Sequence, residues 1–279
     1  MKISGKTRIV GLFGYPVEHS LSPDMHNAAF SYLNLDYCYV TFPVHPDSLG
    51  DAVRGIKALS LGGINVTVPH KEKVMAFLDE INEEAQFIGA VNTIKNEGGK
   101  LTGFNTDGRG FMQSLAEADI EIRKKNVLIV GTGGASRAIG FYLCKEASQV
   151  HLYDVDSLKA EALAKHLYGV RQNADTIDAS SKNSVEFMAG MDIIINATPL
   201  GLRPGDSSPI DISRINKEHI VCDLIYRETP LLRAAAEKGC KTMHGLGMLL
   251  WQGVIAFEIW TGIRPPADVM KKALLKRMK

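Results

Sequence analysis

Short apolar runs alternate with helically spaced apolar residues, and the alternation begins twice along the chain. Over the first hundred residues, stretches 8–13 and 37–44 read as strands, with helices expected over 23–34 and 46–59. In NVTVPHKEKV, residues 65–74, Val66 and Val68 alternate with Asn65 and Thr67, the period of a half-buried strand that Pro69 ends. A helix is expected over 70–78. It would place Lys71 in a first turn, where the helix dipole disfavours a cation. AVNTIKNEGGKLTGFNTD then reads as a hairpin about its Asn-Glu-Gly-Gly turn, and 107–118 as a helix.

The second alternation starts at NVLIVGTGGASRAIGFYL, residues 126–143. It continues with a strand over 149–153, a helix over 157–167, strands over 192–196 and 220–225, and a helix over 229–238. The segment 248–260 is apolar nearly all round, as in a buried helix. Strands separated by helices predict a two-domain α/β protein with mostly parallel sheets covered on both faces, divided near the 107–118 helix.

Composition narrows the function class. The chain has 279 residues, 45% apolar and 23% charged, and a formal net charge of +1. No basic excess suggests nucleic acid, and no apolar run is long enough to span a bilayer. The N-terminal stretch lacks the apolar core of a secretory leader. Cys38, Cys144, Cys222 and Cys240 are widely spaced without a CxxC pair, which predicts buried free thiols, no metal site and a cytoplasmic setting.

In VLIVGTGGASRA a strand runs into Gly131-Thr132-Gly133-Gly134 and then a helix. A tight turn at Gly131 and a missing side chain at Gly133 would let a pyrophosphate approach the backbone at the helix N-terminus. Ser136 stands where the usual fingerprint has its third glycine. Asp154 follows at the end of the next strand, at the spacing where a carboxylate meets the adenosine ribose. A carboxylate there accepts from the 2′-hydroxyl of NAD and repels the 2′-phosphate of NADP, so NAD is favoured, with NADP the alternative cofactor. Asp156 suits a helix N-cap better than Asp154 does.

Small polar residues cluster at the expected strand ends: Ser20 and Ser22, Asn65 and Thr67 with Lys71, Asn92 and Thr93, Thr106 and Asp107. Each has a structural explanation alone, Ser22 and Asp107 as helix caps and Asn92 as a turn residue. Together they occupy the carboxyl edge of a sheet, where α/β proteins bind ligands.

The motifs HSLSPDMHN, GINVTVPHK, GAVNT, GFNTDG, GTGGASRA, INATPLG and GLGMLLWQ, in that order, resemble the shikimate dehydrogenase family over nearly the whole chain. The resemblance implies an N-terminal substrate-binding domain, residues 1–107 completed by C-terminal helices over 246–279, and a Rossmann NAD(P)-binding domain, residues 108–245. It implies reversible reduction of 3-dehydroshikimate to shikimate in aromatic amino acid biosynthesis, by a monomer or homodimer with small-molecule partners only. It matches Lys71 and Asp107 to the catalytic pair, and Ser20 and Ser22 to the residues holding the substrate carboxylate. Asn65, Thr67, Asn92, Tyr226 and Gln252 match positions lining the substrate pocket. Gly131, Thr132, Gly133, Gly134 and Ala135 match the pyrophosphate loop, and Asn196, Thr198, Gly245 and Met248 the nicotinamide side.

Two features depart from the family pattern. Asp154-Val155-Asp156 stands where most members carry the Asn-Arg-Thr of an NADP site, and DLIYRETPLL around Tyr226 is short. Quinate users tend to carry threonine at the position of Ser22, so serine favours shikimate over quinate or dual use. A folate-linked dehydrogenase lacks the serine loop and the Asn92–Asp107 set. An inactive ligand sensor could dispense with Lys71 or Asp107, and both are present.

Overall fold

The computed structural model describes residues 3–203 and 205–278, which divide into two compact units, one running up to Gly110 and resuming from Leu250, the other Phe111–Leu249.

The first unit is built on a six-stranded sheet of β1 (Arg8–Gly14), β2 (Tyr37–Pro43), β3 (Gly63–Val66), β4 (Glu80–Ile81), β5 (Thr93–Glu97) and β6 (Lys100–Phe104), in the order β2-β1-β3-β5-β6-β4. The β1–β2, β1–β3 and β4–β6 pairings are parallel, and β5 runs antiparallel to β3 and β6. Gly98 and Gly99 turn the β5–β6 hairpin with φ of +61° and +90°, the left-handed pair that a two-residue hairpin turn demands. Helix Leu49–Ala58 buries Leu49, Val53 and Ile56, one helical stripe, in a core with Phe13, Ile64, Val66, Ile94 and Leu101. From the end of the chain, Trp260 donates to Ile94 O at 3.0 Å and lies where a Cβ on Gly63 would stand.

Two expectations in this unit are corrected. β3 comprises Gly63–Val66, buried on both faces, so the sheet ends before Thr67, and Val68 is exposed. The stretch 70–78 is not an α-helix: a turn, with His70 N donating to Thr67 O at 2.9 Å, leads into a 3-10 helix, Lys73–Phe77. Lys71 follows that turn and precedes the 3-10 helix, outside any α-helix.

In the second unit β7 (Asn126–Val130), β8 (Gln149–Tyr153), β9 (Ala174–Thr176), β10 (Ile193–Asn196), β11 (Ile220–Asp223) and β12 (Lys241–His244) form an all-parallel sheet in the order β12-β11-β10-β7-β8-β9. Successive residues feed opposite faces: Val127, Ile129, Ile193 and Ile195 one core, Leu128, Val130, Ile194 and Val221 the other. The strand order reverses between β7 and β10, the switch point beside which doubly wound sheets bind dinucleotides. All four cysteines are buried and unpaired.

Candidate functional site

Strand register assembles the polar cluster of the first unit. Asn65 pairs with Thr93 across β3 and β5, and Thr93 pairs with Phe104 across β5 and β6. Asn92 therefore faces the segment leading into helix Asp107–Glu117, its amide N bonded to Phe104 O at 3.0 Å. The Asn92 side chain accepts from Thr106 N at 2.8 Å and donates from Nδ2 to Asp107 Oδ1 at 2.8 Å. Asp107 does not cap its helix as the sequence suggested; Asn105 Oδ1 accepts from Asp107 N at 3.0 Å and leaves the Asp107 carboxylate for other partners.

That carboxylate meets Lys71, with Nζ 2.5 Å from Oδ2. The Lys71 and Asp107 side chains are 17% and 6% exposed, so the pair is largely sheltered from solvent. Lys71 is held through its backbone: its carbonyl accepts from Val91 N at 2.8 Å, and the preceding His70 is buried with Nε2 2.8 Å from Val44 O. Among the described residues its ammonium bonds Asp107, which takes one of its three donors.

A residue absent from the sequence expectations completes the cluster. Tyr39 on β2 donates to Asn65 Oδ1 at 2.9 Å, Asn65 Nδ2 to Thr93 Oγ1 at 3.1 Å, and Thr93 Oγ1 to Asn92 Oδ1 at 3.0 Å. With Asn92 donating to Asp107, every bond in this buried chain points the same way, an arrangement in which each polarises the next. Burial pushes the Tyr39 phenol upward in pKa, and the Ser22 hydroxyl beside it acts in the opposite direction. Ser22 is buried and makes no capping bond; Leu21 takes the N-cap position of helix Ser22–Tyr32. Ser20 Oγ accepts from Ser22 N at 3.3 Å. Thr67 lies just past β3, its N donating to Phe13 O at 2.9 Å, and Gln252 packs where a Cβ on Gly110 would stand, three residues beyond Asp107.

In the second unit Gly131 has φ +97°, and a Cβ there would lie 2.9 Å from Ala197 backbone atoms. Nothing lies within 4 Å of the Cβ position at Gly133, an open approach at the start of helix Gly134–Glu146. Buried Ser136, in place of the third glycine, donates from Oγ to Gly131 O at 2.6 Å and pins the turn. Thr132 gives both its N–H and hydroxyl to Asp154 Oδ2, each at 2.8 Å, tying the loop to the end of β8. Burial alone would raise the Asp154 carboxyl. Bonds from Asp156 N and Thr132, with the Lys159 charge, outweigh that and hold it below the ordinary range, so it is a fixed anion at neutral pH. Asp156 caps helix Ser157–Tyr168, as its position suggested. An open glycine cradle at a helix N-terminus, followed by an anionic carboxylate one strand away, fits a dinucleotide.

The residues that the resemblance assigns to the nicotinamide side are engaged within this unit. Asn196 Nδ2 donates to Leu200 O and Asp223 Oδ2, each at 3.1 Å, and its Oδ1 accepts from Thr198 N and Oγ1, so it shapes the loop after β10. Buried Asp223, which no sequence signal singled out, also accepts from Thr229 Oγ1 at 2.8 Å. A Cβ on Gly245 would stand 2.0 Å from Leu224 O, so only glycine allows that approach. Met248 is buried in the core, Ala135 opens the helix after the loop, and Tyr226 is half-buried in the segment between β11 and helix Pro230–Glu237.

Comparison with known proteins gives these features a family. The profile of the shikimate dehydrogenase substrate binding domain matches residues 12–94, and that of the shikimate 5'-dehydrogenase C-terminal domain matches residues 245–275. A shikimate dehydrogenase (NADP(+)) of Desulforamulus reducens is 47% identical, covering 99% of this chain and 98% of its own. A crystal structure of a shikimate dehydrogenase in complex with NADP+ superposes with a TM-score of 0.93 at 43% identity, over 100% of this chain and 98% of that one. The Listeria monocytogenes shikimate 5-dehydrogenase in complex with shikimate and NAD does so with a TM-score of 0.89 at 38% identity, over 98% of each chain. The chain belongs to the shikimate dehydrogenase family, a family of oxidoreductases.

Proposed function

We propose that this chain interconverts 3-dehydroshikimate and shikimate, with Lys71 and Asp107 as the proton-handling pair and NAD as the preferred cofactor. The observation that carries the proposal is the Lys71–Asp107 contact of 2.5 Å, sheltered from water, with Asn92 holding the second carboxylate oxygen. In the reducing direction negative charge develops on the C3 oxygen, and the Lys71 ammonium stabilises it and gives it a proton. In the oxidising direction the C3 hydroxyl proton passes to the same pair, which acts as one coupled unit. A bound nicotinamide supplies the hydride in one direction and accepts it in the other.

Ser20 and Ser22 hold the substrate carboxylate through neutral hydroxyls, since EHSLSPDM carries no arginine. Asn65, Thr67, Asn92 and Gln252, all in the first unit, are the further substrate-binding candidates on the family match. Residues 1–107 with 246–279 serve as the substrate domain, supported by the profile match over residues 12–94. Residues 108–245 serve as the dinucleotide domain, supported by the strand order and the glycine cradle, with Asn196, Thr198, Gly245 and Met248 on the nicotinamide side.

NAD preference is supported by Asp154 and not by the comparisons: of the similar proteins above, two are described with NADP+ and one with NAD. A 2′-phosphate would meet an ionised carboxylate. Residues 155–158 offer no arginine, and Lys159 is paired with Asp156 at 3.2 Å. Steady-state kcat/KM for shikimate and quinate, each with NAD+ and NADP+, tests this. Shikimate with NAD+ should rank first, and Asp154→Asn combined with Val155→Arg should raise kcat/KM for NADP+ by roughly tenfold or more. A wild-type protein that prefers NADP+ would contradict the cofactor assignment.

A further inference from the structure

We propose that Tyr39 is a positioning residue of the substrate site, and that His26 and Asn27 hold it there. The inference rests on the assignment of Asn65 to substrate binding. Three residues of helix Ser22–Tyr32 converge on this one tyrosine. The Ser22 hydroxyl lies beside the phenol oxygen. The His26 ring stacks on the Tyr39 ring, with centroids 4.5 Å apart and planes 7° from parallel. Asn27 clamps the backbone from both sides, its Nδ2 donating to Tyr39 O at 2.9 Å and its Oδ1 accepting from Tyr39 N at 2.8 Å.

His26 is fully buried, and neither ring nitrogen has a hydrogen-bond partner among the described residues. Its neighbours are the aromatic rings of Phe30, Tyr39, Phe257 and Trp260. It serves as a flat wall: stacked against the phenol, it fixes the direction in which the Tyr39 hydroxyl donates. That hydroxyl fixes the Asn65 amide, because Oδ1 must face the phenol while Nδ2 faces Asn92 O and Thr93 Oγ1. Without the hydroxyl a buried acceptor is left unpaired and the amide loses its orientation. The HN of SPDMHN, which no proton-handling or binding role absorbs, is explained as the mount of this tyrosine.

Steady-state kinetics of the full chain with shikimate and NAD+ test the proposal, with melting temperatures measured alongside. Tyr39→Phe should raise KM for shikimate about tenfold, the loss expected from one buried hydrogen bond, with KM for NAD+ unchanged and kcat affected far less. His26→Leu should reproduce the effect, and His26→Phe, which keeps a flat ring, should restore the wild-type KM. Asn65→Ala is the control for the underlying site. If it raises KM for shikimate while Tyr39→Phe does not, the positioning role is overturned and the site stands. If Asn65→Ala leaves KM unchanged, both fall. A Tyr39→Phe protein whose two KM values rise together has loosened generally, which also overturns the role, as does a His26→Phe protein with the KM of His26→Leu.

Discussion

Asp107 is useful because each of its oxygens is already assigned. Oδ1 accepts from Asn92 and Oδ2 from Lys71, so the carboxylate must be an acceptor on both sides. An amide cannot do this, since one of its two ends is a donor. Asp107→Asn therefore turns a donor towards Lys71 or Asn92, and kcat is expected to fall by roughly a hundredfold or more, the scale of a lost proton-transfer group. Steady-state rates with little change in melting temperature would show it; a near-normal kcat would remove Asp107 from the pair. Strand-end position alone left each of Lys71, Asn92 and Asp107 a structural explanation; it was mainly the family resemblance that singled them out together in the sequence. Tyr39 was not singled out at all. It lies within an apolar strand pattern, and only the β3–β5 register and the helix over β2 show what its hydroxyl meets.

Among elements, the glycine loop was read most fully, since its requirements are backbone requirements. Gly131 has a left-handed φ, and a side chain there would collide with Ala197. Gly131→Ala is expected to destabilise the protein by about 2 kcal/mol, combining strain and clash. Urea unfolding measures this, and unchanged stability would show that the loop can be rebuilt without the turn. The stretch that held Lys71 was read less well. Alternation of Val66 and Val68 suggested a half-buried strand continuing to the proline, yet the strand stops at Val66. Periodicity reports which residues are apolar. It does not report that Trp260, far along the chain, packs onto Gly63 of β3, or that the strand stops before Thr67. The 70–78 helix failed for a related reason: buried His70 and the Lys71 carbonyl are committed to Val44 and Val91, and a turn satisfies those bonds.

For the whole molecule, the repeated α/β alternation was legible from patterning, and the structure shows a separate sheet and core for each half. Stability should respond to acid through hydrogen-bonded, partly buried carboxylates. Burial alone would raise Asp192, but bonds from Asn126 N and Lys125 hold it below the ordinary carboxylate range, and Asp154 is held low in the same manner. Such groups contribute fully above the unfolded pKa and lose that contribution as pH falls through the folded value. Asp223, raised by burial, acts in the opposite sense: its contribution is present at low pH and lost as pH rises through its folded pKa. The melting temperature should therefore fall below about pH 4, and Asp192→Asn should flatten that acid limb. An acid limb of unchanged steepness would show that other groups govern it.

The central claim is that Lys71 performs the proton chemistry, and Lys71→Ala tests it most directly. With shikimate as substrate and saturating NAD+, kcat is expected to drop by about two to four orders of magnitude while KM for shikimate changes little. A Lys71→Ala protein with near-normal kcat would contradict the account.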